Sequence, residues 1–210
     1  MKSVFRYLTL SAIFFMNSSS AFSAIAEGIF VNLGINYDTY DIEVVTENAT
    51  TGAEETATSS TSTMIINFSG GYSLGNGFIA GIKYYNDIRG NSSESVNNTF
   101  DGENDKSAMG VMGGYTFDEF LFQFSYLAIT APEYTDTSDN GNDIEEYKDG
   151  GGMIFDFMYM FEAGGISFGP QISYIQFDYT KHIDNGTEDT LFVSADESWL
   201  KPMFAVAATF

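Results

Sequence analysis

Residues 120–126 read Phe-Leu-Phe-Gln-Phe-Ser-Tyr. Taken in steps of two, Phe120, Phe122, Phe124 and Tyr126 share one face, and Gln123 and Ser125 share the other. A period of two is that of a β-strand with one apolar face. Just upstream, Met109, Val111, Tyr115 and Phe117 lie opposite Gly110, Gly114 and Thr116, and the chain turns between the two runs at Asp118-Glu119. These two runs are read as a tight antiparallel hairpin.

The same alternation extends in both directions. Upstream lie Ile29, Val31, Leu33, Ile35 and Tyr37 against Asn32, Gly34 and Asn36. Next come Met64, Ile66, Phe68 and Tyr72 against Asn67 and Ser69, then Phe78, Ala80, Ile82 and Tyr84 against Gly81 and Lys83. Downstream lie Phe155, Phe157 and Tyr159 against Asp156, Met158 and Met160, then Ile166, Phe168, Ile172 and Tyr174 against Gln171 and Ser173. The last run sets Leu200, Phe204, Val206, Ala208 and Phe210 against Trp199, Lys201 and Thr209. Eight segments of about ten residues with one apolar face match the period and length of membrane-crossing strands.

A soluble barrel with an apolar interior shows the same alternation, so the outward face is decided by other features. Connections after the second, fourth and sixth segments are short, as at Leu74-Gly75-Asn76-Gly77 and Glu162-Ala163-Gly164-Gly165. Those after the first, third, fifth and seventh, at 38–62, 87–106, 129–150 and 178–199, are long. Tyr37, Tyr72, Tyr84, Tyr115, Tyr126, Tyr159 and Tyr174 fall toward segment ends, as interfacial girdles do. Together these features predict an all-β, eight-stranded antiparallel up-and-down transmembrane barrel. The apolar face meets lipid, the termini are periplasmic, and the long loops are extracellular.

The final alternating strand ending in Phe210 resembles the C-terminal signature by which the assembly machinery recognises outer-membrane barrels. In topology the chain resembles the small eight-stranded barrels typified by the OmpA membrane domain, OmpX and Ail. That resemblance implies a Gram-negative outer-membrane location, a bilayer containing lipopolysaccharide, and assembly through Phe210. No peptidoglycan-binding domain of the kind found in full-length OmpA is expected after the barrel.

The ends of the chain agree with export. Lys2 and Arg6 precede an apolar run from Tyr7 to Met16, then small and polar residues, which is the order of a secretory signal. Cleavage after Ala26 is preferred to cleavage after Ser23, giving a signal at 1–26 and a barrel domain at 27–210. The chain has no cysteine, and a closed barrel needs none. Losing Lys2 and Arg6, and no acid, takes the formal charge from −21 to −23. Such a surface excludes nucleic acid, which demands clustered Lys and Arg.

An eight-stranded barrel is filled by its own side chains. The inward polar set is Asn32, Asn36, Asn67, Lys83, Gln123, Asp156, Gln171 and Lys201, within which Lys83, Asp156, Asn67, Gln123 and Gln171 form the expected structural network. Lys83 and Asp156 lie at similar distances from short turns, so they are expected to pair. The four long connections carry 24 of the 29 acidic residues. That acidic rim is a candidate surface for an extracellular partner or divalent cations, and Asp136–Asp139 and Asp143–Glu146 offer oxygen ligands. The Ser/Thr-rich run 50–63 is low in complexity and is read as mobile.

Catalysis finds little support. The single histidine, His182, has Asp184 where lipid-A deacylases of similar size carry serine, two residues after the base. No cofactor or metal is expected. The sequence therefore predicts a non-enzymatic outer-membrane barrel that displays acidic loops, contributing to envelope integrity and to surface interaction or adhesion. A narrow channel past Lys83 and Asp156 is the alternative.

Overall fold

A computed structural model describes residues 27–47, 54–74, 76–95, 98–138 and 143–210; the signal reading at 1–26 lies outside them. The described residues form strands and turns without a helix. The strands are β1 (Gly28–Glu47), β2 (Glu54–Ser73), β3 (Phe78–Ser95), β4 (Asn98–Phe117), β5 (Phe120–Ser138), β6 (Asp143–Lys148), β7 (Gly151–Tyr159), β8 (Phe161–Ala163), β9 (Ile166–Tyr179), β10 (Lys181–Asp184), β11 (Thr187–Glu188) and β12 (Ala195–Thr209). Each of β1 to β5 pairs antiparallel with the next; β5 also pairs β7, β7 pairs β9, β9 pairs β12, and β12 returns to β1. The sheet is a closed, eight-stranded, up-and-down barrel, with β8 continuing β7 as one staff. Met160, between them, donates its N–H to the Glu119 carbonyl at 2.7 Å.

Closure is made by the chain ends. Ile29 and Phe210 exchange both backbone hydrogen bonds, at 3.0 and 2.9 Å, and the ladder continues from Phe30↔Thr209 to Ile35↔Phe204. At the other three hairpins of this end the turns are tight. Gly164 and Gly165 take φ of +63° and +86°, the left-handed pair that a two-residue hairpin needs.

The pleat then sorts the side chains. Leu33, Phe68, Ile82, Phe124, Phe155 and Phe204 face outward and are exposed, forming an apolar belt around the barrel. Across neighbouring strands its rings touch, as for Phe124 and Phe155 at 4.7 Å between centroids and Phe122 and Phe157 at 5.0 Å. Asn32, Asn67, Lys83, Gln123, Asp156 and Gln171 face inward and are buried.

Strand length departs from the sequence expectation. β1 to β5 run 18 to 20 residues, and the β1–β2 and β3–β4 ladders extend to Glu47↔Glu54 and Ser95↔Asn98. Segments read as loops are thus largely paired strand. Residues 54–63 of the Ser/Thr-rich run belong to β2 and pair with β1 on one side, and 58–63 pair with β3 on the other, which corrects their reading as loop. The cause lies in the sequence: residues 54–63 are Ser, Thr, Glu and Ala, so no apolar alternation marks the strand although the backbone still pairs. On the far side β6, β10 and β11 extend the sheet beyond β5.

Gly71 and Gly81 face each other across β2 and β3, and a Cβ on Gly81 would strike the Gly70 carbonyl and the Gly71 Cα. Gly81→Val should lower the unfolding free energy by about 1–3 kcal/mol, the usual cost of overpacking. Urea titration followed by the mobility shift of unheated protein on gels measures it.

Candidate functional site

The lumen is layered. Nearest the tight turns Phe30, Ile79, Met112, Leu121, Met158 and Met160 form a buried apolar cluster with Ala205 and Ala207. Higher up, Ile65, Tyr85, Leu127, Ile154, Ile175 and Phe177 form a second. Between these two layers sits the polar network.

Its centre is Asp156. Lys83, fully buried on β3, donates to Asp156 Oδ2 from across the lumen on β7. The other oxygen, Oδ1, accepts from Asn67 Nδ2 at 3.1 Å, Gln171 Nε2 at 3.0 Å and Ser173 Oγ at 2.6 Å. Gln123 stands opposite Asp156 in the β5–β7 ladder and accepts from Ser69 Oγ at 3.4 Å. Asn67, Lys83, Asp156 and Gln171 are thus joined through one carboxylate, whereas Gln123 lies beside Asp156 in the ladder and bonds Ser69. Both amides beside Asp156 turn their N–H₂ groups toward the charge, which leaves Asn67 Oδ1 and Gln171 Oε1 without a donor. In a buried layer such an ion pair is tolerated because four donors share the carboxylate.

Above the second apolar layer is a cluster that reading the sequence as loops missed. Arg89 donates to Asp87 through Nε at 3.3 Å and Nη2 at 2.8 Å, and Tyr85 donates to the same carboxylate at 3.3 Å. Lys106 pairs with Glu197, which also accepts from Tyr179 Oη at 2.9 Å. Trp199 lies beneath both cations, 5.2 Å from Arg89 Cζ and 4.3 Å from Lys106 Nζ. Asp87, Lys106 and Glu197 were assigned to loops and an acidic rim; they line the lumen instead. Carrying the period of two past Lys83 to Tyr85, Asp87 and Arg89 was the signal that locates them. Lys201 also borders this mouth, and Asn36 caps the last turn of closure by donating to the Pro202 carbonyl at 2.8 Å.

The outermost candidates stand apart. His182 on β10 stacks on Tyr147 at 4.7 Å, with Asp189 Oδ2 3.7 Å from Nδ1 and Phe192 at 5.5 Å. The stretch Asp143–Glu146 lies in β6, where Glu145 pairs with Asp136 and Glu146 with Thr135. Among the described residues no three His, Cys, Asp or Glu side chains converge on one point. Phe210, the expected assembly residue, is 79% exposed and contributes its backbone to closure.

Asp156→Ala leaves a buried ammonium without its counter-charge and should lower the unfolding free energy by about 3–5 kcal/mol. The double variant Lys83→Met, Asp156→Leu should regain most of that loss. Urea midpoints of the three proteins measure both effects. The chain matches no protein-family model, and no curated protein sequence matches it.

Proposed function

We propose that this barrel resides in a Gram-negative outer membrane as a non-enzymatic scaffold, holding a stiff acidic sheet outside the cell for contact with other surfaces. The observation that carries this reading is the continuation of the ladders well beyond the apolar belt. Strands of 20 residues rise about 3.3 Å per residue, and at a tilt near 40° they reach roughly 50 Å along the barrel axis. A belt of about 25 Å accounts for half of that. The remainder projects as paired backbone, whose order has already been fixed before any partner arrives.

The lumen supports a scaffold over a conduit. Apolar clusters flank Lys83 and Asp156 on either side, which favours a filled lumen over a wet path. The pair braces opposite walls and contributes to envelope integrity by holding the barrel shut. The outward apolar belt suits lipid, and the exposed Phe210 suits recognition by the assembly machinery.

At the outer end Leu191 and Val193 are 88% and 83% exposed, on the connection between β11 and β12. Large apolar side chains on an acidic, hydrated tip are candidates for adhesive contact. Cells carrying the full protein should bind partner cells or surfaces better than cells whose outer hairpins are trimmed to short turns. Leu191→Ser with Val193→Ser should reproduce most of that loss without affecting folding. Equal binding by all three would contradict an adhesive role.

A further inference from the structure

Above the Ile35↔Phe204 pair, β1 and β12 no longer pair, although β1 continues with β2 and β12 with β9. Pro202 sits at this split and has no N–H to offer a neighbour. On the β12 side of the split a cavity of about 420 Å³ is lined by β2, β3 and β12 through Thr61, Thr63, Arg89, Glu197, Ser198, Trp199 and Lys201. It lies above the second apolar layer and leads to the outside.

The cavity is positive in a protein whose formal charge is −21. Its lining carries two cations, Arg89 and Lys201, against one acid, Glu197, with the Asp87 carboxylate and the Lys106 ammonium bonded to lining residues Arg89 and Glu197. Asp87 is taken by Arg89 and Tyr85, and Glu197 by Lys106 and Tyr179. Lys201 has no carboxylate within ion-pair distance among the described residues; Asp38, opposite Thr63 in the ladder, makes no such pair. Arg89 commits Nε and Nη2 to Asp87, and its Nη1 has no protein acceptor among the described residues. Two threonine hydroxyls complete the wall. A partly enclosed surplus cation, flanked by a guanidinium and hydroxyl donors, is the chemistry that holds an oxyanion.

We propose that the outer mouth of the lumen binds a small oxyanion, a carboxylate or a phosphate, held by Lys201 and Arg89 with Thr61 and Thr63 as hydroxyl donors. The site is separate from the adhesive tip and stands whether or not the tip binds anything. Its occupant neutralises the surplus charge of the mouth.

Trp199, the chain's single tryptophan, lines the cavity and reports on it by its fluorescence. The folded full-length protein in micelles is titrated with inorganic phosphate and, separately, with acetate, at ionic strength held constant with chloride. A saturable change in emission with either anion is expected, and which of the two acts at lower concentration identifies the headgroup. Lys201→Gln should weaken it about tenfold, while Lys201→Arg retains it. Thr63→Val, which changes no charge, serves as a second arm and should weaken it by a smaller factor. Gel mobility before and after heating confirms that each variant is folded. No saturable change with either anion, or equal affinity in both Lys201→Gln and Thr63→Val, overturns the proposal. A saturable response to calcium in place of the anions overturns it as well.

Discussion

Everything in this molecule depends on the closure of one sheet. The exchange of hydrogen bonds between Ile29 and Phe210 leaves the lower barrel without an edge, so its strands satisfy their backbone groups by pairing around the wall. Closure at eight strands also fixes the bore, which the chain's own side chains must fill. The sorting of residues follows: a wall one strand thick has only an inside and an outside, and the pleat assigns alternate residues to each.

Filling that bore creates the central electrostatic problem. An ammonium and a carboxylate, Lys83 and Asp156, are buried between two apolar layers where neither is stable alone. Three further donors on Asp156 resolve it and tie β2, β7 and β9 to β3 through one carboxylate. The same rule shapes the outer mouth, where each acid finds a cation and a tyrosine. Four of the six cations beyond residue 26 thereby face the lumen. Acid dominates the exterior in part because the bases have been drawn inside.

The belt and the inward network were legible because an apolar outward face and a filled inward face impose a strict period of two. Phe122 and Phe124 against Gln123 and Ser125 carry the fold in a few residues. Height in the barrel was legible for Lys83 and Asp156 by counting from the turns. Above the belt that information vanishes: Thr58 to Thr63 form strand through backbone pairing that polar side chains do not advertise. Asp87 and Lys106 were read as loop residues for this reason, though each keeps the inward parity of its strand. The split at Pro202 was legible only as a missing N–H, whose effect depends on the neighbouring strand.

The central claim is that the apolar face of the closed wall meets lipid and the polar face fills the lumen. Because the chain has no cysteine, single cysteines placed in turn at 121–126 can be labelled with a membrane-soluble maleimide in protein folded into lipid vesicles. The account predicts strong labelling at 122, 124 and 126 and protection at 121, 123 and 125. Protection of 122, 124 and 126 with labelling from water at 123 and 125 would contradict it, and would turn the barrel inside out.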